Sequence, residues 1–113
     1  MVQPERKEQI MAMTIIGTFQ ATDDGFEGTL RTLALAQDLM FIPRPPYPGT
    51  KQTPDYRIML AGESIQVGVA WKRENEKNGG FLSVVLDDPT FSKPINARLI
   101  PSKLGYYRLI WSR

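Results

Sequence analysis

Residues 94–111 read PINARLIPSKLGYYRLIW. Ala97 and Leu99 precede a polar centre, and Tyr107, Leu109 and Trp111 follow it, all at odd positions. Apolar residues at every second position mark a half-buried strand. If both odd sets face one core, the loop between them holds an odd number of residues. Lys103-Leu104-Gly105 meets that condition, with Gly105 in the left-handed position of a three-residue turn. The pairing is then fixed: Ile100 opposite Arg108, and Arg98 opposite Ile110. Arg98 and Arg108 become diagonal neighbours on the outer face. Asn96, Tyr106, Ile100 and Ile110 join them there.

Working back from this hairpin, the same pattern recurs. Residues 64–73 place Ile65, Val67, Val69 and Trp71 on one parity and Gln66, Gly68, Ala70 and Lys72 on the other. The first set is expected to face the core, and the small residues of the second set suggest close approach of another strand. Residues 14–22, 25–35, 39–42, 55–61 and 81–87 read as further strands. Asp23-Asp24-Gly25 closes the first hairpin, with Gly25 expected to supply a positive φ. Asn78-Gly79-Gly80 turns into residues 81–87, and Asp87-Asp88-Pro89 ends that strand. Five of the nine prolines fall in residues 43–54, where the missing N–H forbids a central strand and a proline-rich loop is expected. The one helix-like stretch, residues 32–39, lacks a convincing amphipathic stripe. The reading is all-β: a single small antiparallel barrel or compact sandwich of about seven or eight strands. Residues 1–12 read as a flexible N-terminal arm and residues 13–113 as one β domain.

Composition narrows the chemistry. The chain has 113 residues with no histidine and no cysteine. Triads built on His, imidazole metal sites, thiolate nucleophiles and disulfides are therefore excluded. The serines have no His partner, and no Ser-x-x-Lys or Walker-type loop is present. Asp23-Asp24 and Asp87-Asp88 could hold a hard cation or serve as a carboxylate pair only if they converged in space, and turn capping beside Gly25 and Pro89 is the favoured reading of each. No catalytic residue, cofactor or metal site is expected. No stretch approaches the ~18–20 apolar residues of a membrane span, no signal peptide is visible, and the default location is cytoplasmic.

Several segments resemble an uncharacterised bacterial family, Domain of Unknown Function seven-three-six. They are Ile16-Gly17-Thr18-Phe19, Asp23-Asp24-Gly25-Phe26-x-Gly28, Arg31-Thr32-Leu33, Pro54-Asp55-Tyr56-Arg57 and Gly68-x-Ala70-Trp71-Lys72. The most specific is Leu82-Ser83-Val84-x-Leu86-Asp87-Asp88-Pro89-x-Phe91, and Leu109-Ile110-Trp111-Ser112-Arg113 closes the series. The resemblance spans about residues 13–113. The first twelve residues and the stretch 43–48 depart from it. It implies a protein of alphaproteobacteria and relatives, often encoded near plasmid or conjugation genes, and it brings no activity or site residue.

Charge supplies the functional expectation. From Pro89 onward the chain carries Lys93, Arg98, Lys103, Arg108 and Arg113 and no acid. The preceding residues hold nine basic and twelve acidic side chains, so a net charge of +2 conceals a −3 body and a +5 C-terminal segment. Cations interleaved with an aromatic ring suit single-stranded nucleic acid. The expected function is a non-enzymatic binding module for single-stranded nucleic acid in a plasmid or mobile-element setting, using Arg98, Arg108, Tyr106, Lys103, Arg113 and Asn96. The alternative is a homodimer or another protein partner, held through an edge strand or through Ile100 and Ile110. The same face, read without a ligand, is a solvated strand face or a second core layer under a sheet covered on both sides, and this plain reading weighs more than either functional one.

Overall fold

The computed structural model describes residues 13–44, 53–74 and 80–112. It contains eight strands: β1 (Met13–Ala21), β2 (Phe26–Arg31), β3 (Ala36–Pro43), β4 (Tyr56–Leu60), β5 (Gln66–Arg73), β6 (Phe81–Leu86), β7 (Ile95–Pro101) and β8 (Tyr107–Ser112). Each pairs antiparallel with the next, and β8 returns to pair with β1, closing a barrel. Of the two architectures the alternation allowed, the barrel forms. The turns after β1, β3, β5 and β7 lie at one end, called upper here; those after β2, β4 and β6 lie at the lower end. Every strand has a partner on both sides. Among the described strands none therefore offers a free edge for the expected pairing with another chain.

An eight-stranded barrel has an interior just wide enough for side chains to fill. Phe19, Leu39, Phe41, Ile58, Val84, Leu86, Leu99 and Leu109 fill it and are almost wholly inaccessible. The Phe19 and Phe41 rings meet edge to face, 5.3 Å apart at 74°, the arrangement that aromatic quadrupoles favour.

Two bulges set which side chains point inward. On β1 the register with β8 shifts between Ile15 and Gly17, so Ile16 is the extra residue. On β5 the register with β4 shifts between Gln66 and Gly68, which makes Val67 extra. A bulge re-aims every later residue on its strand. Beyond Val67, Gly68 faces Ile58 and Leu86, and Ala70 is fully buried. Val69 and Trp71 therefore stand outside and half-buried, opposite Val85 and Ser83. The expectation that Val69 and Trp71 join the core is overturned, because unbroken alternation does not survive the inserted residue.

The turns follow local chemistry. Gly105 has φ +94°, as the hairpin argument required. The Ser102 N–H donates to the Tyr106 carbonyl at 2.8 Å across the same turn. Gly25 does not take the expected positive φ. It is needed for space instead: a Cβ there would run into the Phe41 carbonyl oxygen and stand 3.1 Å from its carbon. The stretch 32–39 forms no helix. The Thr32 hydroxyl accepts the Leu35 N–H at 3.1 Å, and β3 begins directly afterwards. Asp88 ends β6 as expected, accepting the Thr90 N–H at 3.0 Å and the Thr90 hydroxyl at 2.6 Å. The N-terminal arm at 1–12, the proline stretch 45–50 and Asn78-Gly79 lie outside the described residues.

Candidate functional site

The β7–β8 register is the one that side-chain parity demanded: Arg98 faces Ile110 and Ile100 faces Arg108. Because the barrel is continuous, each outward residue belongs to a row that crosses several strands. One row runs Trp71, Ser83, Arg98, Ile110, Ile15 across β5, β6, β7, β8 and β1. A second runs Ile42, Arg57, Val69, Val85, Asn96 across β3 to β7. A third runs Ile100, Arg108, Thr18, Thr29, Asp38 across β7, β8, β1, β2 and β3. Arg73 stands beside Phe81 on β5 and β6.

Charge is sorted around the barrel. The only acids within the strands are Glu27 on β2 and Asp38 on β3, and Asp38 accepts the Thr29 hydroxyl at 3.0 Å. Strands β4 to β8 hold no acid and five cations: Arg57, Lys72, Arg73, Arg98 and Arg108. All but Lys72 are arginines on the outer parity. Three of them lie over aromatic rings: Arg73 over Trp71 at 5.9 Å, Arg98 over Phe81 at 5.9 Å, and Arg108 over Tyr106 at 5.8 Å. At partly exposed sites each such contact is worth about 0.5–1 kcal/mol, enough to bias a long side chain toward one orientation. Apolar Val69, Val85, Ile100 and Ile110 fill the ground between them, half-buried. A shallow depression of about 360 Å³ opens among Arg73, Phe81, Ser83, Asn96, Arg98 and Ile110.

Two of these arginines have unmet donors. The Nε atoms of Arg57 and Arg108 are shielded from solvent and have no hydrogen-bond partner among the described residues. Leaving such a donor unpaired costs about 1–3 kcal/mol.

The expected site residues are only partly gathered. Arg98, Arg108, Tyr106 and Asn96 share the outer face of the C-terminal hairpin. Lys103 is exposed at the tip of the upper turn, beyond the rows. Lys93 lies in the loop at the opposite, lower end, so the C-terminal cations do not form a single patch. Arg113 lies outside the described residues. Sequence reading missed Arg57, Arg73, Trp71 and Phe81. The available signal was Gly68 and Ala70, whose small size suits a crowded interior better than an outer surface.

The carboxylate pairs separate. Asp23 and Asp24 sit in the upper turn after β1, and Asp87 and Asp88 follow β6 at the lower end. No group of three or more acidic side chains able to hold a metal ion occurs among the described residues. Cation binding or carboxylate catalysis shared between the two pairs thus has no geometric basis.

A family model described as "Protein of unknown function (DUF736)" matches residues 15–113. No curated protein and no solved structure matches the chain.

Proposed function

We propose, starting from the fact that the chain belongs to the family of unknown function DUF736, that it is a non-enzymatic module that binds single-stranded nucleic acid on the outer face of β4 to β8. The observation that carries this reading is the set of three arginines, each laid on an aromatic ring, on strands without a single acid. Guanidinium planes and rings both accept a stacked base, and the charge attracts the phosphates between bases. Arg98, Arg108, Arg73 and Arg57 contact phosphate, while Trp71, Phe81 and Tyr106 offer stacking surface. Lys103 adds charge at the tip of the hairpin. The plasmid or mobile-element setting implied by the resemblance is one in which single strands arise.

The test is fluorescence anisotropy with labelled single- and double-stranded oligonucleotides at low salt. The expected result is tighter binding of the single strand, lost in the double variant Arg98→Glu/Arg108→Glu. Absence of binding at low salt, or binding unchanged in that variant, overturns the proposal.

A second reading, contact with another protein or a second copy, is favoured by one observation. Ile15 is 53% exposed and stands directly opposite half-buried Ile110. Light scattering over a range of concentrations separates the two: a mass that doubles with concentration, together with no response to oligonucleotides, selects self-association.

A further inference from the structure

The upper mouth of the barrel is built differently from the outer face. Phe26, Tyr56 and Tyr107 point inward at the upper ends of β2, β4 and β8 and stop half-buried. Their rings touch: Phe26 to Tyr107 at 4.9 Å and Phe26 to Tyr56 at 5.8 Å. Buried Phe41 lies below them, 5.9 Å from Phe26. The Val67 bulge turns Lys72 to the inner parity, opposite Leu82, and its ammonium lies 5.9 Å from the centre of the Tyr56 ring. Phe26, Tyr56, Tyr107 and Lys72 bound a cavity of about 320 Å³. Barrel mouths lined by aromatic rings and a few polar groups are favoured ligand sites.

Two further facts define the occupant. First, Arg73 and Phe81 line both this cavity and the depression on the outer face, so the two are contiguous. Second, the mouth is chiefly aromatic and apolar. Among its lining residues the charged ones are Lys72, Arg73 and Glu74, and the Asp55 carboxylate is tied to the backbone, accepting the Lys72 backbone N–H at 2.7 Å. A ring-lined cavity suits a flat base, whereas the adjoining acid-free strands suit phosphate.

We infer that the upper mouth receives one unstacked base of the bound strand, while the phosphates on either side of it stay outside on the arginine face. The inference rests on the nucleic-acid reading of that face. It adds a reason for preferring single strands, because a paired base cannot leave its duplex without the cost of unstacking.

The full chain is titrated with thymidine 5′-monophosphate, adenosine 5′-monophosphate and an oligothymidylate of about twelve nucleotides, and the aromatic proton resonances are followed by NMR. The expected result is that both the mononucleotides and the oligonucleotide shift the Phe26, Tyr56 and Tyr107 rings. An oligonucleotide of the same length made wholly of abasic units should leave those rings unmoved and bind roughly tenfold more weakly. Oligonucleotide binding that depends on Arg98 and Arg108 but leaves the three rings unmoved overturns the mouth inference and spares the outer face. Mononucleotides that shift the rings while no oligonucleotide binds support the mouth as a base site and overturn the outer-face reading. If neither probe binds, both fall.

Discussion

Arg98 on β7 reaches across to β6 and lies over the Phe81 ring, 5.9 Å from its centre, while its register partner on β6 is Ser83. The contact is therefore diagonal and bridges two rows of the outer face. It gives charge and stacking surface to the same spot but assigns them to different residues, so the two can be separated by substitution. Arg98→Gln is expected to weaken single-strand binding about tenfold and to lower the slope of log affinity against log salt by about one. Phe81→Leu is expected to weaken binding several-fold with the slope unchanged. Anisotropy titrations at three or more salt concentrations read both quantities.

The unpaired Nε groups of Arg57 and Arg108 predict an exchange of stability for binding. Arg57→Met and Arg108→Met each keep a long apolar stem and remove a shielded donor. Urea unfolding should show each variant as stable as the parent or more so, by up to about 1 kcal/mol. Oligonucleotide affinity should fall in both. A clear loss of stability would show that the guanidinium serves the fold.

The β5 bulge can be tested by exchanging the residues on its two faces. Ala70→Leu adds volume to a filled interior and is expected to cost about 1–3 kcal/mol. Trp71→Gln removes an outer, half-buried ring and should cost no more than about 1 kcal/mol. Unbroken alternation along residues 64–73 would require the reverse ranking. Chemical denaturation of the two single variants decides the order.

Asp88 carries a predictable pH signature. Its hydrogen bonds from the Thr90 hydroxyl and the Thr90 N–H hold its carboxyl below the ordinary value of 3.8. A carboxylate whose pKa is depressed by folding contributes stability that is present above its unfolded value and lost as pH falls through the folded one. Asp88→Asn should therefore lower the thermal midpoint at neutral pH. The gap from the parent protein should close as pH falls below about 4. Melting curves across that range, followed by circular dichroism, measure it. A gap that persists in strong acid would assign the effect to packing instead.

The C-terminal hairpin was legible because nothing interrupts the alternation of its strands: Ala97, Leu99, Tyr107, Leu109 and Trp111 point inward, and the one special backbone angle falls on Gly105. β5 was not legible from periodicity, since one extra residue at Val67 reverses the face of everything after it. The turn at Gly25 was located correctly but for the wrong cause, because the space it needs is limited by Phe41, a residue of a different strand. The candidate site shares this difficulty. Arg98 and Arg108 meet within one hairpin, but Arg57 and Arg73 join them only once β4 and β5 are wrapped into register with β6 and β7. A charge count along the chain detects the first pair and dilutes the second among neighbouring acids such as Asp55 and Glu74.

Strand tilt in a closed barrel means that a row of outward residues does not lie level. The row that begins at Ile42, near the top of β3, has descended to the foot of β7 by the time it reaches Asn96. The rows are turns of a screw thread. Any extended chain that followed one such row would cross the outer face obliquely, from the upper end of the molecule to the lower.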